Sequence, residues 1–301
     1  MTSQRIPGFQ AIDIEADGVS IHAAIGGAGP PLLLLHGYPQ THFMWRHVAT
    51  AAAKHFTVVM ADLTGYGASD KPPGGEGGAR YAKRSMAADQ VAAMATLGFD
   101  RFAVAGHDRG GRVAHRMALD HPEVVTRLAV LDIIPTRVAF ARTDAEFARA
   151  YYHWFFLAQP RGFPERLIGA DPAYFLAHTL AAWSGASFTF DGESLGVYTD
   201  AFRDPATIAA SCDDYRAAAG IDLVHDAADT GPATQPLLVM WGTQGAMHRL
   251  FDVPGTWADL SVDCTACPVD SGHFLPEEAP AATAEALLAF LTADWRQRAG
   301  T

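Results

Sequence analysis

"VAGHDRGGRVAHRMA", residues 104–118, joins two kinds of pattern. The apolar run that leads into it from Phe102 reads as a buried strand, and the stretch from Gly111 onward has helical spacing. Between them stands Gly106-His107-Asp108-Arg109-Gly110. The flanking glycines allow a sharp strand-to-helix turn and close packing of the two elements. The turn lifts the Asp108 side chain above the sheet at a helix N-terminus, where negative charge is favoured. A glycine-rich turn with a chance aspartate would look the same alone, so the companion segments carry weight. A carboxylate is a poor acyl-transfer nucleophile, because the product would be an anhydride. It is competent for displacement at an sp3 carbon, which gives an alkyl ester of the enzyme.

Working outward, short apolar runs alternate with helix-length segments. Pro30–Gly37, Phe56–Leu63, Phe102–Asp108, Arg127–Ile133 and Pro236–Gly242 are strand candidates, and Arg84–Gly98 and Gly111–Pro122 are helix candidates. Continuous apolar runs suit strands covered on both faces. The expected class is α/β, a mostly parallel sheet with helices on both faces. "VSIHAAIGG" (Val19–Gly27) alternates and predicts an antiparallel edge hairpin. From residue 136 to 226 the chain is aromatic and helical, with no central strand. That predicts a core domain of residues 1–135 and 227–301, with a helical cap of residues 136–226 over the carboxyl ends of the strands.

The Gly-x-nucleophile-x-Gly turn is the elbow of α/β-hydrolases, whose chain order is nucleophile, acid, histidine. "VDSGHFLPEEAP" (Val269–Pro280) places His273 after the last strand and before a helix, as the base. Many such enzymes carry the acid just after a Trp-Gly strand end, but "MWGTQGAMH" (Met240–His248) holds no carboxylate. Asp132, ending the strand after the elbow helix, is the natural substitute; otherwise it caps a loop. "LLLLHGYPQTHFMW" (Leu32–Trp45) supplies an oxyanion loop, with the backbone N–H groups of Tyr38 and Arg109 as donors. His36 is expected to support that loop. Arg109 and Arg112 share the first turn of the helix, and both guanidiniums are expected to clamp a carboxylate beside Asp108. Their other reading is neutralisation of Asp108 or exposure to solvent. Arg116 extends the row without an expected role.

The chain has 301 residues, with 22 Lys+Arg against 33 Asp+Glu and a net charge of −11. That balance repels phosphate backbones and anionic membranes, so neither nucleic acid nor membrane is an expected partner. The arginines of the elbow predict one basic spot at the bottom of the cleft of an acidic protein. Three cysteines give no disulfide framework. Cys264 and Cys267 have C-x-x-C spacing, but in a strand-like context with no helix behind them. No second cluster completes a metal site, and none is expected. "MTSQRIPGFQ" lacks a secretion-signal pattern, so a cytoplasmic protein is expected.

Taken together, the segments resemble the fluoroacetate (haloacetate) dehalogenases of the α/β-hydrolase superfamily. The likeness spans nearly the whole chain: "HGYPQTHFMW", "ADLTGYGASDKP", the Asp-Arg-Gly-Gly-Arg elbow, "LDIIPT", "HWFFLAQP", "DDYRAAAGID" and "SGHFLPEEAP". It implies Asp108 as nucleophile, His273 as base, Asp132 as its partner and Arg109 with Arg112 as carboxylate clamp. It further implies that His153, Trp154 and Tyr215 bind the leaving halide; without it, His153-Trp154 reads as aromatic packing. It implies a homodimer, a small haloacid substrate and no cofactor. Tyr38 and the glycine-rich "GGEGG" are departures from the pattern. The expected activity is hydrolytic dehalogenation of a haloacetate. The alternative is an epoxide hydrolase with the same Asp-His-Asp machinery, using Tyr151, Tyr152, Tyr198 or Tyr215 to protonate the epoxide. A non-catalytic receptor on this fold is a third reading.

Overall fold

A computed structural model describes residues 6–229 and 231–293. Eight strands form one sheet: β1 (Phe9–Ala16), β2 (Val19–Gly27), β3 (Pro31–Leu35), β4 (Thr57–Ala61), β5 (Phe102–His107), β6 (Val125–Leu131), β7 (Leu237–Gly242) and β8 (Cys264–Val269). Their order is β1-β2-β4-β3-β5-β6-β7-β8. β1 and β2 form the antiparallel edge hairpin that the alternation of Val19–Gly27 predicts. β2 meets β4 antiparallel, and every other pairing is parallel. β5 and β7 are buried at every position, as strands covered on both faces are. Cys264 and Cys267 lie on β8, the opposite edge, as free thiols. Their three-residue spacing on a strand turns them to opposite faces.

The strand order reverses about β3. The chain leaves β3 toward β4 on one side and returns as β5 on the other. The loops that follow β3 and β5 therefore border a crevice at the carboxyl edge, where open α/β sheets bind ligands. Packing there leaves no room for side chains on the elbow glycines. A Cβ on Gly106 would lie 2.2 Å from the Gly110 carbonyl oxygen, and one on Gly110 would lie 2.3 Å from that of His36.

Between β6 and β7 the described chain is helical, from Thr136–Ala141 to Ile221–Ala227, with no named strand. Asp144, Asp171, Asp191 and Asp204 each accept backbone N–H bonds at the start of a helix in this insert. Part of the acidic surplus is thus spent on orphan donors at helix N-termini. Among the described residues no helix is long and apolar enough to cross a membrane.

Two glycines give opposite expectations. Gly106→Ala should cost about 2 kcal/mol or more in a denaturant titration, because backbone cannot yield to the new methyl. Gly196 is exposed inside the helix Gly192–Phe202, and a methyl added there would meet nothing within 4 Å. Gly196→Ala should stabilise by about 0.5–1 kcal/mol in the same titration.

Candidate active site

Asp108 caps the helix Arg109–Asp120 with φ 47° and ψ −113°. Its backbone N–H donates to the Leu131 carbonyl at 3.2 Å, which ties the elbow to the end of β6. The side chain has two distinct oxygens. Oδ1 accepts the Tyr38 backbone N–H at 2.9 Å. Oδ2 faces His273, with Nε2 4.0 Å away. Gly37 makes this approach possible, since a Cβ there would lie 2.4 Å from the Asp108 Cβ. Arg109 supplies the first backbone N–H of the helix, which has no intrahelical acceptor. Behind the loop, His36 Nε2 accepts the Leu63 N–H at 3.0 Å and Nδ1 donates to the Gly37 carbonyl at 2.9 Å. Burial lowers its pKa, so it is a neutral brace for the loop.

His273 Nδ1 donates to Asp132 Oδ2 at 2.5 Å, and Gly242 N–H donates to Asp132 Oδ1 at 3.0 Å. The Trp-Gly strand end thus contributes a backbone donor and not the acid. Asp132, like Asp108, has positive φ (52°). The histidine loop is fixed by His273 N–H to the Trp183 carbonyl at 2.9 Å and by His107 Nε2–H to the His273 carbonyl at 2.7 Å. Burial lowers the His107 pKa to about 3, so this ring is neutral. For His273, burial disfavours the imidazolium, but the Asp132 hydrogen bond and the charges of Asp132, Asp108 and Glu278 outweigh it and raise the pKa. For Asp108, burial disfavours the carboxylate, but His273, Arg109, His107 and Arg112 outweigh it and lower the pKa. Asp108 is an anion beside an imidazole.

The helical insert closes over this pair. His153 and Trp154 come from the helix Tyr152–Leu157, Trp183 ends Pro172–Trp183, and Tyr215 lies on Pro205–Ala218. The Tyr38 ring lies parallel to His153 at 6.4 Å and edge-on to Tyr215 at 5.4 Å. Trp183 bridges the two halves, 4.3 Å from His153 and 5.4 Å from His273 between ring centroids. Arg109 lies over the Tyr215 ring at 4.3 Å and Arg112 over Trp154 at 4.6 Å. Seven buried polar atoms in this cluster have no hydrogen-bond partner among the described residues: Tyr38 Oη, Tyr215 Oη, Trp154 Nε1, His153 Nδ1, Arg109 Nη1, Arg112 Nε and His273 Nε2. Such atoms are costly to leave unmet, so the cluster suits a small polar guest. Burial lowers the His153 pKa to about 3 and the Arg112 pKa to about 10, so at neutral pH the first is uncharged and the second remains a cation.

The structure brings together Asp108, His273, Asp132, Tyr38, Arg109, Arg112, His153, Trp154 and Tyr215. Neither arginine is a wholly free fork. Arg109 gives Nε and Nη2 to Asp214, and Arg112 gives Nη1 to the Ile134 carbonyl and Thr136 Oγ1. Arg109 Nη1 and Arg112 Nε are buried and remain unpartnered. The basic spot is enclosed, with Arg109 at 0% and Arg112 at 5% exposure. Arg116 pairs with Asp120 and Asp229, outside the cluster. Of the tyrosines named for epoxide chemistry, Tyr198 donates to Glu277 and Tyr152 is largely exposed, whereas Tyr215 and Tyr151 lie close enough to Asp108 to feel its charge. Sequence reasoning missed His107 and Asp214, and it named Trp183 beside the site without assigning it a role. Asp214 carried a signal: an acid in a buried helix calls for a partner.

Comparison with known proteins fits this geometry. The model of the alpha/beta hydrolase fold family matches residues 30–280. The fluoroacetate dehalogenase of Burkholderia sp is 48% identical over 287 residues, 95% of this chain and 94% of that protein. The chain belongs to the fluoroacetate dehalogenase family of α/β-hydrolases. The soluble epoxide hydrolase of Corynebacterium sp. (strain C12), 32% identical over 91% of this chain and 94% of its own length, is a more distant relative. A solved α/β-hydrolase structure from Nostoc sp PCC 7120 superposes with a TM-score of 0.94, at 48% identity, covering 96% of this chain and 99% of that one. The dehalogenase-family membership agrees with an Asp, not a Ser, at the elbow.

The charges that favour the protonated form of His273 are separable. Asp132→Asn and Asp108→Asn should each lower the His273 pKa, because each removes an anion that favours the imidazolium. Histidine NMR titration of the wild type and both variants reads this. An unchanged pKa in Asp108→Asn would show that the two groups are not electrostatically coupled.

Proposed function

We propose that the protein hydrolyses haloacetates, fluoroacetate to glycolate and fluoride among them, through an ester of Asp108. One observation carries the reading. Two guanidiniums whose charge reaches the Asp108 carboxylate each keep a buried, unpartnered nitrogen, Arg109 Nη1 and Arg112 Nε, and the insert adds the uncharged His153, Trp154 and Tyr215. A haloacetate has a carboxylate for the first set and a departing halide for the second. The 48% identity to a fluoroacetate dehalogenase supports a hydrolase acting on carbon–halide bonds.

In the first step Asp108 Oδ2 attacks the α-carbon, the C–O bond forms, and the halide leaves with the C–X electron pair. Fluoride departs poorly unless donors replace its lost water, and indole N–H, phenol O–H and imidazole N–H are such donors. In the second step His273 Nε2 takes a proton from water, whose oxygen attacks the Asp108 carboxyl carbon. Charge develops on Oδ1, the oxygen already held by the Tyr38 N–H. Collapse expels the glycolate oxygen, which takes the proton back from His273, and the water's second proton leaves the new Asp108 carboxyl for solvent, restoring the carboxylate. Esterification removes the Asp108 charge that helps to hold the imidazolium, so the base is released when it is needed. No cofactor enters either step.

The epoxide reading draws on Tyr215 and on the Corynebacterium relative. A neutral epoxide leaves both arginine N–H groups unmet, which disfavours it.

Asp108→Asn should lose fluoride release from fluoroacetate by at least about a thousandfold. His273→Asn should stop after the first step and accumulate protein heavier by one carboxymethyl group in intact-mass spectra. A single turnover in heavy-oxygen water should label Asp108 and leave glycolate unlabelled. Label in the first glycolate would mean that water attacks the substrate directly and would sink the ester mechanism.

A further inference from the structure

Asp214 is fully buried on the helix Pro205–Ala218, immediately before Tyr215, and its carboxylate grips the side of Arg109. Arg109 Nε donates to Asp214 Oδ2 at 2.9 Å, and Nη2 donates both to Oδ1 and to the Asp214 carbonyl, the latter at 3.0 Å. These bonds fix the guanidinium plane, and the Tyr215 ring supports one face of it at 4.3 Å. Asp214 is itself held from behind. Tyr66 Oη donates to Oδ2 at 2.7 Å and Lys83 Nζ donates to Oδ1. Lys83 also lies 3.7 Å from Asp222 Oδ2, so two buried cations face two buried carboxylates.

We propose that Asp214 is the positioning residue of the carboxylate-binding end: it orients Arg109 so that Nη1 alone faces the substrate. The inference rests on the haloacetate reading above. The geometry separates it from a mere bond between insert and core. A planar fork held at Nε and Nη2 has one orientation left, and Nη1 is the atom that remains unpartnered. Asp214 therefore acts through Arg109 and not on the reacting atoms. Its position beside Tyr215 also sets the carboxylate end and a halide donor on consecutive residues of one helix.

The test compares wild type, Asp214→Asn, Arg109→Leu and the double variant by fluoride release from fluoroacetate, with acetate as competitive inhibitor. Asparagine keeps the size but offers an N–H toward donors already present. Asp214→Asn should raise KM for fluoroacetate and Ki for acetate together, about ten- to a hundredfold, the cost expected when charge-assisted hydrogen bonds are misplaced. Its kcat should fall by less than about threefold. In the Arg109→Leu background the same change should shift KM by less than about threefold, because the group it orients is gone. Tyr66→Phe removes one support without changing charge and should move KM and the acetate Ki in the same direction, by about two- to fivefold. An additive cycle, or a fall in kcat with KM and Ki unmoved, overturns the proposal. If Asp214→Asn does not fold, unchanged KM and Ki in Tyr66→Phe overturn it. A wild type that releases no halide from haloacetates would instead overturn the functional reading itself.

Discussion

A single strained residue sets the terms for the rest of the structure. Asp108 sits at φ 47° and ψ −113°, a conformation that costs an L-residue of order 1–3 kcal/mol. The strain persists because its surroundings leave no alternative. Gly106 and Gly110 pack backbone against backbone, Gly37 passes against the Asp108 Cβ, and Leu131 takes the Asp108 N–H. The same geometry points Oδ1 at the Tyr38 N–H and Oδ2 at His273. Asp132, at the end of the neighbouring β6, repeats the device with φ 52°. Both carboxylates are thus raised off a strand end, and both face one histidine.

The elements of the sheet were legible because their signals are local. Continuous apolar runs mark β3 to β7, alternation marks β2, and "VDCTACPVD", which reads as a strand, forms β8. The elbow, the histidine loop and Asp132 were legible because steric or chain-order rules restrict them. The resemblance supplied His153, Trp154 and Tyr215, and the fold places them around Asp108. What escaped depends on distance in space. Arg109 and Asp214 are 105 positions apart. Nothing local to the elbow says that most of its guanidinium is already engaged. Trp183 shares the difficulty: a tryptophan ending an apolar helix looks like packing until its carbonyl is seen to hold the His273 N–H.

Net charge illustrates the same limit. A total of −11 describes the surface and the helix caps, where Asp144, Asp171, Asp191 and Asp204 sit. It says little about a site in which Arg109 and Arg112 are buried. At short range and low dielectric, neighbours dominate over distant screened charges. Within the site the balance is local too. Asp214 offsets Arg109, whereas Arg112 has neutral partners at Ile134 and Thr136. Arg112 is the less neutralised cation, although burial and Arg109 lower its pKa.

On the proposed chemistry, this asymmetry also orients the substrate. A haloacetate has two electron-rich ends, and a site with cations at both would accept it either way round. Here the charged donors come from the elbow helix and the uncharged ones from the insert. Burial keeps His153 neutral, with its pKa pushed down to about 3. A neutral donor set can stabilise a departing halide without outcompeting the arginines for the carboxylate. It also holds the released halide less tightly than a buried cation would, so the second step and product release are not opposed by an ion pair. Orientation and release therefore follow from one feature, the separation of charged from uncharged donors between two parts of the chain that meet only in the fold.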